Sequence, residues 1–181
     1  MDADTFVTRL QSCSPSEEEA REIAEGDQIR FSEIIGAYVC SKRPNVEPLD
    51  NQDPIIALFL RYDPSSLDFG MITFRTDIQD LNGKLWFGHA AGDWLVIDQE
   101  TRRVQLLDHS APDYVVCECA RDAGHFLDAM IAYISAPWME IGLFEEEPPE
   151  GPSRSVRLAE IAGGSEFLPF YESILGLGLD E

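Results

Sequence analysis

Residues 86–109 read WFGHAAGDWLVIDQETRRVQLLDH, and whether this stretch is chemistry or scaffold decides how the chain folds. It carries the histidines, aspartates, arginines and tryptophans of an active site. Its apolar residues nevertheless fall into two short runs around a polar turn. Trp94, Val96 and Asp98 alternate with Leu95 and Ile97, the pattern of a strand with two different faces. The stretch DQETR supplies a turn, and Val104, Leu106 and Leu107 begin a return strand. Gly92 and Asp93 mark a tight bend before the first strand. A hairpin with one buried face accounts for every apolar residue here without catalysis. The stretch is scaffold.

Working outward, short apolar runs separated by turn residues recur on both sides: IIALFLRY, FGMITFRT, KLWFGH, DWLVID, RRVQLLDH and DYVVCECA. This rhythm predicts an antiparallel meander, although the first run could equally be a helix. A helix follows, with Phe126, Leu127, Met130, Ile131 and Ile134 on one stripe and Pro137 ending it. Upstream, the first ordered element is read as a helix in SPSEEEAREIA. Ser14 is its N-cap, Pro15 its first residue, Glu17 completes a capping box and Gly26 ends it. IRFSEIIGAYVCSKR puts Phe31, Ile34, Ile35, Tyr38 and Val39 on one helical face, with a strand still open as an alternative. RPNVEPLDNQDP reads as a loop and FEEEPPEGPSRS as a linker. In SEFLPFYESILGLG, Phe167, Phe170 and Ile174 share a helical face, and Pro169 is tolerated in the first turn. The expected fold is α+β: a single domain with a central, mostly antiparallel sheet flanked by helices. Residues 1–144 form the core, and 145–181 form an acidic linker and a docking helical appendage.

Composition narrows the function classes. The chain has 181 residues, 44% of them hydrophobic, enough for one domain with a real core. Against 13 basic residues stand 34 acidic ones, a formal charge of −21. Such a surface repels nucleic acid and anionic lipid and draws basic partners. No apolar run approaches the roughly 18 residues of a membrane span. The N-terminus has neither the basic nor the apolar region of a secretory signal. Cys13, Cys40, Cys117 and Cys119 follow no disulfide framework, and Cys117 and Cys119 should face the same side of a strand. Reduced thiols in a cytoplasmic protein are expected.

The chemical alternatives are thin. Asp108, His109 and Ser110 are adjacent and cannot form a triad among themselves, since neighbouring strand side chains point to opposite faces. Cys117, Cys119, His109 and His125 could be assembled into a metal site, but neither CxxC nor HExxH is present. No P-loop or GxGxxG occurs. No catalytic residue, metal or cofactor is therefore assigned. Trp86 and Trp94 are read as core or half-buried sheet residues.

The phrase FGHAAGDWLVIDQETRRVQLLDH, followed by GHFLDAMIAYI, resembles the signature region of the SUKH immunity superfamily. The matching parts are Gly88, the Gly92–Asp93 turn, Trp94–Asp98, the polar turn Gln99–Arg102, Val104–His109 and the helix Phe126–Ile134. The resemblance spans about residues 55–136. It implies an α+β domain that is not an enzyme and that binds and neutralises a toxin, often a nuclease. The alternative it leaves is a housekeeping regulator or scaffold of the Syd or fungal cell-wall-regulator type. Charge independently points to a basic protein partner. The candidate contacts are Asp77 and Asp80, read as lying in the loop before Trp86, Asp98 and Glu100 in the hairpin turn, and Trp138 as an anchor at a helix end.

Overall fold

A computed structural model describes residues 1–44, 52–135 and 151–177. These form an α+β domain in which a five-stranded antiparallel meander is packed by helices. The strands are β3 (Ile72–Asp80), β4 (Lys84–Ala90), β5 (Asp93–Asp98), β6 (Val104–Leu107) and β7 (Val115–Ala120), hydrogen-bonded in chain order. The run IIALFLRY resolves as a helix, α4 (Pro54–Arg61), because Asp53 caps it through the amides of Ile55 and Ile56 and Pro54 opens its first turn. A two-stranded ladder joins β1 (Ser41–Lys42) to β2 (Tyr62–Asp63).

Turn chemistry sets the meander. Asn82 and Gly83, with φ of 55° and 90°, close β3 on β4, and Ala91 and Gly92, at 53° and 95°, close β4 on β5. Two successive positive φ values make the primed turn whose twist suits a hairpin. Asp77 and Asp80 accordingly lie within β3, not in a loop before Trp86. No longer loop is needed, because two residues of positive φ, Asn82 and Gly83, suffice to close the hairpin. Between β3 and β4 the backbones approach closely at Gly88, where a Cβ would lie 2.6 Å from the carbonyl oxygen of Thr73.

Three further expectations are corrected. The first helix is α1 (Ala3–Ser12), which buries Phe6 and Leu10 at its i, i+4 spacing. The next, α2 (Glu17–Ile23), is capped by Ser16 with Glu19 and not by Ser14 with Glu17. Both frames have the S-x-x-E spacing, but the Ser14 amide already bonds the Gln11 carbonyl behind α1. The Ser16 amide is free to take the Glu19 carboxylate at 2.8 Å. Helix α3 (Gln28–Gly36) forms, yet none of its residues is buried. Tyr38 and Cys40 beyond its end are the ones that enter the core.

At the other end, the helix stripe expected after β7 is α5 (Ala123–Ile134), capped by Asp122, with Phe126, Leu127, Met130, Ile131 and Ile134 all buried. Pro137 lies outside the described residues. The expected linker is interrupted: Ser153 caps a helix, α6 (Arg154–Ala162), and Ser155 is buried within it. A 3-10 turn (Ser165–Phe167) leads into α7 (Leu168–Ile174), which buries Phe170 and Ile174. These C-terminal residues share one hydrophobic cluster with α1, α4, α5 and the sheet. A file of aromatic contacts crosses it from Phe59 through Phe74, Phe87, Phe126 and Phe170 to Tyr171, with centroids 5.1 to 6.4 Å apart. The buried Tyr171 hydroxyl donates to the Cys119 carbonyl at 3.1 Å, tying α7 to β7.

Candidate interaction surface

The sheet has two unlike faces. Ile72, Phe74, Phe87, Leu95, Ile97, Val104, Leu106 and Cys119 point into the helix-covered core. Pairing puts Trp86 opposite Val96 and His89 opposite Trp94. It also puts Gln105 opposite Val96 and Leu107 opposite Trp94. These residues share the other face, and neither Val96 nor Leu107 belongs to the core cluster although both are fully buried.

The two indoles stack with centroids 4.5 Å apart at 24°. The Arg75 guanidinium lies 3.6 Å from the Trp86 ring centre, face-on, and His89 meets the same ring edgewise at 5.2 Å. The Trp86 indole N–H donates to the Gly88 carbonyl at 2.8 Å, so its polar end is satisfied. Burial, then the nearby Arg75 charge, holds the His89 imidazole below its ordinary range. Both indoles are half-buried.

Around this aromatic centre the charges are paired. Lys84 donates to the Gln105 amide oxygen at 2.8 Å and lies 3.6 Å from Asp98. Arg103 is bonded to Glu118. Asp98 is the keystone of the β5–β6 turn: it accepts the amides of Glu100 and Thr101 at 3.0 and 2.8 Å. Those bonds, the Thr101 amide foremost, hold its carboxyl below the usual range. Arg102, at φ 65°, bonds the buried carboxylate of Asp53 at 3.0 Å and so anchors the same turn to α4. Desolvation raises the Asp53 carboxyl despite these partners.

The structure brings together three of the carboxylates chosen from sequence. The Asn82–Gly83 turn and the β5–β6 turn lie side by side, joined by the Gln99 amide to Gly83 at 2.9 Å and the Gln99 side chain to Asp80 at 3.2 Å. Asp80, Asp98 and Glu100 thus share one end of the sheet. Asp77 sits further along β3, exposed, 3.5 Å from Arg75. Glu100 and Asp77 present charge to solvent, whereas Asp98 is committed to its turn. Trp138 lies outside the described residues. Sequence reasoning missed Arg75, Lys84 and Gln105, which frame the indoles; the alternation around Arg75 was the available signal.

Cys117, Cys119, His109 and His125 do not converge as a metal-binding group among the described residues. Cys119 is buried in the core, where burial pushes its thiol well up, and its hydrogen bond to Cys117 lowers the latter. His125 bonds Asp122 at 2.8 Å at the start of α5. The set that could hold an ion is instead Asp93, Asp108 and His109, whose ligand atoms lie within 4.8 Å of one another. Its members are already engaged. Asp93 accepts the His109 amide at 3.1 Å and contacts Nδ1 at 3.0 Å, and Asp108 accepts the Ser110 amide and hydroxyl. These bonds clip the loop after β6 onto the start of β5.

No helix among the described residues is long and apolar enough to cross a membrane. Compared with protein-family models, characterised proteins and solved structures, the chain matches none of them.

Proposed function

We propose that this chain is a non-enzymatic, cytoplasmic immunity protein that binds and neutralises a basic toxin domain. The observation that carries the reading is the pair of exposed carboxylates, Asp80 and Glu100, that two linked turns bring to one end of the sheet, in a chain of net charge −21. The resemblance of residues 55–136 to the SUKH immunity proteins supports the same reading. Exposed carboxylates there accelerate encounter with a cationic protein, while a few buried contacts hold the complex. The test uses a purified basic toxin domain encoded beside the gene for this chain. The expected result is a stable complex that abolishes the toxin's activity, with an association rate that falls several-fold as salt is raised. Glu100→Lys combined with Asp77→Lys should slow association and flatten its salt dependence. An acidic partner, or a rate indifferent to both salt and charge reversal, overturns the reading.

A further inference from the structure

We propose that the face of the sheet turned away from the described helices is the docking platform for that partner, with Trp94 stacking on an arginine or lysine of the bound protein. This rests on the binding-protein reading above and adds the place and the chemistry of contact.

A solvated face of an antiparallel sheet ordinarily reads polar. Here its middle holds Trp86 and Trp94, both half-buried and stacked, beside Val96 and Leu107, which are fully inaccessible and leave the indoles as the apolar contact surface. An apolar, aromatic centre inside a polar rim is the anatomy of a protein interface. The chemistry of the occupant follows from the rim. Every base on this face already has a partner within the chain: Lys84 has Asp98, Arg103 has Glu118, and Arg75 has the Trp86 ring and Asp77. The exposed charges left at the edge are acidic, Asp80 and Glu100. A cationic surface is complemented; nucleic acid and a second copy of this chain, each strongly anionic, are repelled. Arg75 demonstrates the contact geometry, since its guanidinium already lies 3.6 Å over one indole of the pair.

The test uses labelled octa-arginine, octa-lysine and octa-glutamate peptides as probes of the intact chain. Binding is followed by fluorescence anisotropy and by the indole N–H resonances of Trp86 and Trp94, assigned with Trp86→Phe and Trp94→Phe. The expected result is that octa-arginine binds more tightly than octa-lysine and shifts both indole signals. Octa-glutamate should not bind. Trp94→Leu should weaken octa-arginine at least fivefold, with Trp94→Phe in between, and circular dichroism checks that each variant is folded. Should Trp94→Leu unfold the chain, the indole shifts of the unaltered protein still decide. Unmoved indoles, with binding lost only on Glu100→Lys, sink the platform and leave the charge-steered binding protein standing. Basic peptides that bind no better than octa-glutamate sink both.

Discussion

The two faces of one sheet differ in what buries them. On the inner face Leu95 and Leu106 pack against helices and belong to the single core that runs from α1 to α7. On the outer face Val96 and Leu107 are just as inaccessible yet lie outside that core, beside stacked indoles and paired charges. Complete burial therefore has two meanings here. Inside, it is dense packing, which punishes any lost volume. Outside, it occurs apart from the helix-packed core, so a lost methyl there is expected to cost less.

The contrast makes graded predictions. The largest effect should come from the inner face: Leu95→Ala is expected to destabilise by about 3–4 kcal/mol, read as a fall in the denaturant midpoint at unchanged slope. Leu107→Ala, the same truncation at an equally buried position on the outer face, should cost only about 2 kcal/mol. Equal losses would erase the distinction between the faces.

Gly88→Ala tests where the sheet has no room to adjust. The added methyl meets the Thr73 carbonyl at 2.6 Å, so a loss of about 2 kcal/mol is expected from overpacking. A neutral result would mean that β3 and β4 can separate.

The acidic end should be less costly and pH-dependent. Asp98→Ala removes two amide hydrogen bonds and the Lys84 pair, for an expected loss of about 1–2 kcal/mol. Because the folded-state carboxyl lies below the ordinary aspartate range, its stabilisation is complete above that range. It fades as pH falls through the lower, folded value. The variant should therefore close the gap to the parent protein at the acid end of a pH–stability profile. A gap that stays constant to the lowest pH would show that the carboxylate's charge contributes nothing. Smallest of all, Glu100→Lys and Asp77→Lys should each shift stability by less than about 0.5 kcal/mol, since both side chains are exposed.

The meander was legible because turn chemistry and alternation are local. The strand runs from FGMITFRT to DYVVCECA, the α5 stripe and the aromatic face of α7 all follow from spacing of two or of three to four residues. So does the choice of Glu100 as an exposed carboxylate, since a polar hairpin tip has nowhere to bury it. Less local features escaped. The capping box could be written in two frames, and only the neighbouring α1 decided between them by using the Ser14 amide. Asp98 looked like a free charge because its acceptor role depends on the turn folding back on it.

The bulge in β4 shows where the sequence stops. Counting back from the Ala91–Gly92 turn in strict alternation pairs Trp86 with Ile97 and points it into the core. In the structure the register shifts between Trp86 and Gly88, so Trp86 pairs with Val96 and Phe87 enters the core instead. One extra residue exchanges the faces of everything beyond it. Which aromatic joins the file from Phe74 to Phe126 and which stacks on Trp94 is thus settled by packing, because either ring would satisfy the local pattern. The sequence by itself determined the order of the strands, the bend at Gly92, the β5–β6 turn and the excess of acid. The tertiary structure alone decided that Trp86, Trp94 and Arg75 meet on one face, since a facing depends on a register that only the packed core selects.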